Sequence, residues 1–162
     1  MINDINFFNS DIMINIPNYK NINAKTVVFD LNGTLAEDGI VDYETKKLLH
    51  KLNKMYNIVV LTADTFGTIK KEFEGYDDIT IEIIKNTEEK MNKAKKYTPY
   101  IGIGNGNNDV EMLKNAELGI AVIGKEGCSV KALLSSDIVV NDIKDAINLL
   151  LNEKRLIATL RK

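Results

Sequence analysis

Residues 26–35 read Thr-Val-Val-Phe-Asp-Leu-Asn-Gly-Thr-Leu, and this segment decides the fold. Its first four residues are β-branched or aromatic, which is typical of a buried strand in a parallel sheet. Asp30 ends the run, and Gly33 supplies the turn that follows. Open α/β sheets place their chemistry just beyond the carboxyl ends of the strands. The segment therefore predicts a parallel strand with a functional carboxylate at its end.

Two later segments repeat this arrangement of an apolar run and a polar loop. Residues 58–61 (Ile-Val-Val-Leu) lead into Thr62-Ala63-Asp64, and residues 100–103 (Tyr-Ile-Gly-Ile) lead into residues 104–109 (Gly-Asn-Gly-Asn-Asn-Asp). The carboxyl ends of parallel strands meet at one edge of a sheet. We therefore expect the three loops to converge on one site.

Strand and helix patterns alternate from residue 25 onward. We predict strands at 26–30, 58–62, 79–84, 100–103, 118–122 and 137–140, and helices at 43–56, 66–74, 87–97, 107–115, 128–134 and 142–152. This alternation predicts an α/β fold, a Rossmann-like three-layer sandwich with a mostly parallel central sheet. The alternating segment Ile12–Ile16, ended by Pro17, predicts a further strand, paired antiparallel at a sheet edge.

Composition narrows the class of protein. The 162 residues are expected to form a single domain, 1–162, with an N-terminal strand extension at 1–24 and a C-terminal tail at 152–162. A net charge of −2 gives no basic surface for nucleic acid. The only cysteine, Cys128, cannot form an internal disulfide. Neither a signal peptide nor an apolar run of about 20 residues is evident, so we expect a cytoplasmic protein without a membrane partner.

The three loops and a downstream lysine resemble the motifs of the haloacid dehalogenase superfamily of aspartate-nucleophile phosphatases and phosphotransferases. That superfamily has an Asp-x-Asp-Gly-Thr motif, a strand-terminal Thr or Ser, a Lys, and a Gly-Asp-x-x-Asn-Asp motif. Here these correspond to Asp30–Thr34, Thr62, a lysine near Lys90, and Gly104–Asp109. The resemblance covers roughly residues 25–151.

Other segments resemble the phosphorylation domain of P-type ATPases, and the soluble P-type ATPase group in particular. They are residues 61–64 (Leu-Thr-Ala-Asp), 118–122 (Leu-Gly-Ile-Ala-Val) and 136–140 (Ser-Asp-Ile-Val-Val). Members of the superfamily with a cap domain insert it in one of two intervals along the chain. Here Thr62 follows Asp30 by 32 residues and Lys90 follows Thr62 at a similar distance, which leaves no room for a cap. The resemblance therefore implies a capless core with an open site.

The resemblance implies that Asp30 is a nucleophile that accepts a phosphoryl group as an aspartyl phosphate. Asn32 departs from the family, because many of its phosphatases have an Asp there that protonates the leaving group and activates water. An amide exchanges no proton at neutral pH, and general acid–base catalysis contributes about 10²–10⁴-fold. P-type ATPases carry Thr at this position and form a long-lived phosphoenzyme. We expect slow turnover, with a degraded site as the alternative.

The resemblance also implies a phosphate-binding cradle. A hydroxyl and a backbone N–H at a strand end can hold phosphate oxygens, and a lysine can neutralise the shared negative charge. Lys90 fits the family position best, and Lys93 is the alternative. The expected phosphate-binding residues are Gly33, Thr34, Thr62, Ala63 and Lys90, and the expected catalytic residues are Asp30, Asn32, Thr62 and Lys90.

The fourth motif implies a magnesium site. The expected ligands of Mg²⁺ are Asp30, the main-chain carbonyl of Asn32, Asn105 and Asp109. Asn105 stands where the family usually has Asp, so we expect weak metal binding in the absence of phosphate. The alternative is an ordinary Gly-Asn turn in which the polar residues cap the next helix.

Together these features predict an enzyme of the phosphohydrolase class, with Mg²⁺-dependent phosphoryl transfer through Asp30. The expected partner is a phosphorylated small molecule or a phosphoprotein. Two alternatives are an ATP-hydrolysing, autophosphorylating protein like the soluble P-type ATPases, and a catalytically weak regulatory or binding protein. Apolar residues near the C-terminus, in the stretches 149–151 and 155–160, either pack back on the core or form a contact between subunits of a homo-oligomer.

Overall fold

A six-stranded sheet lies at the centre of the computed structural model, which describes residues 12–63 and 68–162. The strands are β1 (Ile12–Ile16), β2 (Lys20–Ala24), β3 (Thr26–Asp30), β4 (Asn57–Thr62), β5 (Ile79–Ile83), β6 (Tyr100–Gly104), β7 (Leu118–Val122) and β8 (Ile138–Val140). The helices are α1 (Tyr43–Leu52), α2 (Thr68–Glu72), α3 (Thr87–Lys95), α4 (Val110–Lys114), α5 (Val130–Leu134), α6 (Ile143–Leu151) and α7 (Glu153–Leu160), with a 3₁₀ turn at Asn107–Asp109. The central sheet has the order β5-β4-β3-β6-β7-β8, and all its pairs are parallel. The α/β sandwich with a mostly parallel sheet is thus confirmed.

The central strands are buried on both faces, which explains their continuous apolar sequences. Every residue of β3, β6 and β7 is buried. Successive side chains of a strand point to opposite faces. Accordingly Val27 and Phe29 belong to one large apolar cluster, whereas Val28 belongs to a second, smaller one. Such burial on both faces is what a parallel sheet covered by helices requires.

The register of the sheet brings the three polar loops to one edge. Phe29 pairs with Val60 on one side and with Ile103 on the other. The residues that follow each of these positions therefore leave the sheet side by side. Asp30, at the end of β3, lies between the end of β4 and the end of β6.

The N-terminal segment differs from the sequence prediction. The strand at 12–16 forms, but it pairs antiparallel with β2 in a separate two-stranded sheet rather than at an edge of the central one. β2 reads Lys-Asn-Ile-Asn-Ala, and Asn and Ala are depleted in strands, so this segment carries little strand signal. Residues 152–162, expected as a tail, contain α7, whose Leu156 is fully buried beside β1.

Within the described part of the chain, neither interval that could carry a cap contains one. The first interval holds α1, and the second holds α2 and β5. The start of the helix predicted at 66–74 lies outside the described residues, and α2 occupies 68–72. Among the helices described here, none has the length and apolar character needed to cross a membrane.

Candidate active site

Three charged side chains form a buried cluster at the edge where the loops meet. The Lys90 Nζ lies 2.7 Å from Asp30 Oδ1 and 2.6 Å from Asp109 Oδ1. The side chain of Lys90 is 1% exposed, that of Asp109 is 0% exposed and that of Asp30 is 9% exposed. Two carboxylates therefore share one ammonium, and the cluster carries a formal net charge of −1 when all three groups are ionised. Burial of such a group lowers the stability of the fold unless a further cation compensates the surplus negative charge.

The start of α3 places Lys90 in this cluster. The side chain of Asn86 caps the helix by accepting a hydrogen bond from the Glu89 N–H at 2.8 Å. Lys90, Met91 and Ala94 then form the buried face of the helix. Lys93 does not reach the cluster: its Nζ donates to the Ile83 carbonyl at 3.1 Å. Of the two lysines suggested by the sequence, Lys90 is the one in contact with Asp30.

Asp109 organises the loop after β6. Its Oδ2 accepts hydrogen bonds from the backbone N–H groups of Asn105 and Gly106, both at 3.0 Å. Gly104 is required here, because a Cβ on it would lie 2.7 Å from the Asp109 Cγ. Asp109 thus joins the loop to the Lys90 ammonium, which explains why a carboxylate is buried at this position.

The loop after β3 contacts the loop after β6 directly. Gly33 has φ +78°, and a Cβ on it would lie 2.4 Å from the Asn105 Nδ2. The Thr34 hydroxyl lies 3.2 Å from Asp30 Oδ2 and 3.3 Å from Asn105 Oδ1. Asn105 Nδ2 in turn donates to the Gly127 carbonyl at 3.0 Å. The Thr34 hydroxyl therefore connects Asp30 Oδ2 with the side-chain oxygen of Asn105.

The electrostatics of the cluster make Asp30 unusual. Burial, followed by the charge of Asp109, raises the pKa of Asp30 to about 7, although Lys90 and the Thr34 hydroxyl oppose the shift. Burial alone would lower the pKa of Lys90, but the two carboxylates outweigh it and raise that pKa. Positive charge added beside Asp30 would favour its ionised form.

The other residues expected from the sequence lie around this centre. Thr62 is buried at the end of β4, one residue beyond Leu61, which pairs with Asp30. Ala63 is exposed at the same edge, and Asn32 is exposed in a turn bridged to Ala36. Asp64 lies outside the described residues.

The oxygen atoms near Asp30 fit a divalent cation that is held together with phosphate. In residues 12–63 and 68–162, no group of three or more His, Cys, Asp or Glu side chains could hold a metal alone. Mg²⁺, however, often uses one or two carboxylates, with phosphate and water completing its octahedron. Asp30 Oδ2 and Asn105 Oδ1 flank the same Thr34 hydroxyl. Asp109 faces Lys90 and two backbone amides, so its predicted role as a metal ligand remains a prediction.

Sequence reasoning missed a cavity of about 430 Å³ beside this centre. Gly33 and Thr34 form one wall, and the segments after β7 and β8 form others. A hairpin turn, in which Glu37 and Ile40 exchange backbone hydrogen bonds of 3.0 Å, borders the cavity. The signal was present in the sequence, since residues 124–126 and 141–142 also follow strand ends.

The chain has a close relative of known sequence. No family model matches this chain. The uncharacterized protein MJ0073 of Methanocaldococcus jannaschii is 56% identical over 93 residues, which are 57% of this chain and 99% of that protein. This chain belongs to the MJ0073 family. Since the relative is itself uncharacterized, the match assigns no activity.

Solved structures identify the fold. The cobalt-bound octulosonate 8-phosphate phosphatase YrbI of Haemophilus influenzae matches with a TM-score of 0.66 and 12% identity, over 80% of this chain and 88% of that one. The corresponding phosphatase of Moraxella catarrhalis, in complex with magnesium and phosphate, matches with a TM-score of 0.61 and 18% identity, over 85% of this chain and 94% of that one. A zinc-transporting PIB-type ATPase matches with a TM-score of 0.60 and 19% identity, over 74% of this chain but 20% of the ATPase. The fold is that of the haloacid dehalogenase superfamily, including the catalytic domain of P-type ATPases.

Proposed function

We propose that this protein is a divalent-metal-dependent phosphohydrolase that forms a phosphoenzyme on Asp30. The observation that carries the proposal is the buried cluster in which Asp30 and Asp109 share the Lys90 ammonium. A strand-end carboxylate with a raised pKa, adjacent to fixed oxygen ligands and a cavity, is a typical arrangement of a functional site.

The reaction has two displacement steps. In the first, an oxygen of the Asp30 carboxylate attacks phosphorus, and the bond from phosphorus to the ester oxygen breaks with its electron pair on the leaving oxygen, which takes a proton from water. In the second, water attacks the phosphorus of the aspartyl phosphate, the bond to the Asp30 oxygen breaks, and inorganic phosphate and a proton are released. Splitting the hydrolysis in this way replaces one difficult step by two easier ones.

The residues around Asp30 have distinct tasks in this scheme. Lys90 holds Oδ1 and neutralises part of the charge that builds up on the phosphoryl oxygens. Thr34 holds the Oδ2 side, and Thr62 with the Ala63 amide would bind phosphate oxygens. Asn32 is exposed, two residues after the nucleophile. Its amide neither gives up nor accepts a proton at neutral pH, so the protons must come from water.

Mg²⁺ is the cation we propose, held by Asp30, the Asn105 side chain and the Asn32 carbonyl. When bound, it would supply positive charge that keeps the Asp30 carboxylate ionised and balances the phosphate. Because one carboxylate of the usual motif is an amide here, the affinity should depend strongly on phosphate. Metal-bound phosphatases with this fold, one with cobalt and one with magnesium, support a divalent cation.

A second candidate is an ATP-hydrolysing protein that phosphorylates itself. The fold match to the zinc-transporting ATPase supports it, as does the absence of an acid–base carboxylate at Asn32. This chain spans only a fifth of that zinc-transporting ATPase, so the activity of the longer protein does not carry over to it. ATP is therefore one of the substrates to be tested.

The test is hydrolysis of acetyl phosphate, p-nitrophenyl phosphate and ATP with Mg²⁺. We expect phosphate release from at least one of them, its loss with EDTA, and its loss in Asp30→Asn. As a matched control, Asp78→Asn makes the same change at an exposed position before β5 and should retain full activity. Equal turnover in wild type and Asp30→Asn would refute the proposal, and no turnover in any preparation would favour the regulatory alternative.

A further inference from the structure

The cavity of about 430 Å³ is placed to receive the group that leaves with the substrate oxygen. Thr34 lines it, and the Thr34 hydroxyl lies 3.2 Å from Asp30 Oδ2. Gly124, also in the lining, lies next to Gly33: a Cβ on it would be 3.4 Å from the Gly33 carbonyl oxygen. The cavity therefore begins at Thr34, whose hydroxyl contacts the proposed nucleophile. Its volume falls in the range of small-ligand sites.

Acidic side chains outnumber basic side chains in the lining of this cavity. Four acids and two lysines line it: Glu37, Asp42, Glu126, Asp142, Lys125 and Lys144. Lys125 pairs with Glu37 at 3.1 Å, which leaves this pair neutral. The cavity thus carries a formal charge of −2, in addition to the negative charge of the buried cluster.

The surplus charge has a definite location. Lys144 is shared by Asp42 at 3.2 Å and Asp142 at 3.4 Å, so one of these two carboxylates is not compensated. Glu126 adds a further carboxylate on an exposed part of the wall. Both acids at Lys144 also cap helices, which fixes their positions: Asp42 accepts from the Thr45 N–H, and Asp142 from the Lys144 N–H, each at 2.8 Å.

We infer that the substrate is the phosphate ester of a small polar alcohol that carries no negative charge, and that an ammonium group on this alcohol is favoured. The inference rests on the proposed function. A second anionic group would enter a cavity that already has two uncompensated carboxylates, and repulsion would oppose it. The same repulsion disfavours ATP, whose leaving group is a nucleoside diphosphate, and the phosphate esters of sugar acids.

A series of two-carbon esters tests the charge without changing the size. The three esters differ in the charge of the alcohol part: phosphoethanolamine carries an ammonium, 2-hydroxyethyl phosphate carries an uncharged hydroxyl, and phosphoglycolate carries a carboxylate. A unit charge about 7 Å away in a wet cleft changes the binding of another charge by about threefold, so two surplus charges give about tenfold. At low salt we expect kcat/KM to favour the ammonium ester over the carboxylate ester by about 100-fold, with a smaller ratio at high salt.

A charge-neutralising variant tests the residues. Asp142→Asn combined with Glu126→Gln brings the lining to a formal charge of zero, and Asn preserves the helix cap because it is as good a cap as Asp. In this double variant the 100-fold ratio should fall to a fewfold value. The matched control, Asp77→Asn with Asp78→Asn, removes two charges from the exposed turn before β5, at the other edge of the sheet, and should leave the ratio unchanged.

The outcomes separate this inference from the proposed function. If the esters are hydrolysed but phosphoglycolate is the best substrate, or if the double variant and the control shift the ratio equally, the inference is wrong and the phosphohydrolase stands. If acetyl phosphate is hydrolysed but none of the three esters is, the inference is wrong and the phosphohydrolase stands. If none of these esters, acetyl phosphate, p-nitrophenyl phosphate and ATP is hydrolysed, the proposed function fails and the inference fails with it. A preference for the ammonium ester that the double variant alone abolishes supports both.

Discussion

Replacing the proposed nucleophile should make the metal-free protein more stable. In the cluster, Asp30 and Asp109 compete for the single ammonium of Lys90, and burial raises the pKa of Asp30 from 3.8 to about 7. The pKa is higher in the folded state, so folding binds a proton and stability falls as the pH rises from about 4 to about 7. Three pKa units at about 1.4 kcal/mol each give a cost of about 4 kcal/mol above pH 7.

Asp30→Asn removes this cost and leaves Lys90 paired with Asp109. Urea unfolding in EDTA at pH 4, 5, 6, 7 and 8 measures this difference in the free energy of unfolding between variant and wild type. The free energies of unfolding of variant and wild type should agree at pH 4. The variant should then gain steadily up to about pH 7 and keep its advantage above that.

Asp78→Asn provides the matched control, because its position is exposed and the same change should produce no such trend. Addition of Mg²⁺ with phosphate should stabilise the wild type and not Asp30→Asn, since ligands stabilise the state that binds them. A variant that is less stable than the wild type at pH 8 in EDTA would show that the ionised Asp30 does not destabilise the metal-free fold. It would mean that the Asp30–Lys90 pair holds the fold together rather than straining it.

Three further changes have defined outcomes. Asn105→Asp adds a carboxylate beside Asp30 and should tighten Mg²⁺ binding in calorimetric titration; unchanged or weaker binding would place Asn105 outside the metal site. Asn32→Asp restores a proton-exchanging group and should raise turnover of poor-leaving-group esters by at least about tenfold, with a smaller effect on p-nitrophenyl phosphate. Lys90→Met leaves two buried carboxylates without a cation and should lower the free energy of unfolding at pH 8 by about 3–5 kcal/mol, the cost of breaking a buried ion pair. A loss below about 1 kcal/mol in urea unfolding would show that Lys90 does not compensate them.

The sequence was sufficient for the central sheet because its strands are buried on both faces. Continuous apolar runs at β3, β4 and β6 carry a strong signal for buried parallel strands. The strand β2 was missed because an Asn-rich sequence has low strand propensity. Its pairing with β1 is a tertiary effect that the local sequence does not encode strongly.

The candidate site was only partly predictable for a similar reason. Motif order located Asp30 and the loop 104–109, but the choice between Lys90 and Lys93 depends on which face of α3 is buried. That face is set by packing against the sheet. The cavity involves charges from loops separated by about 100 residues, such as Asp42 and Lys144, and no local pattern relates them.

The decisive measurement locates the residue that is phosphorylated. The protein is mixed with labelled acetyl phosphate and Mg²⁺, quenched in acid and treated with borohydride, which reduces an aspartyl phosphate to homoserine. Peptide mass spectrometry then locates the modified residue. We predict homoserine at position 30 of the wild type, accumulating because Asn32 cannot activate water, and no modification in Asp30→Asn. Hydrolysis that proceeds without homoserine at position 30, or with homoserine at another position, would show that Asp30 is not the nucleophile.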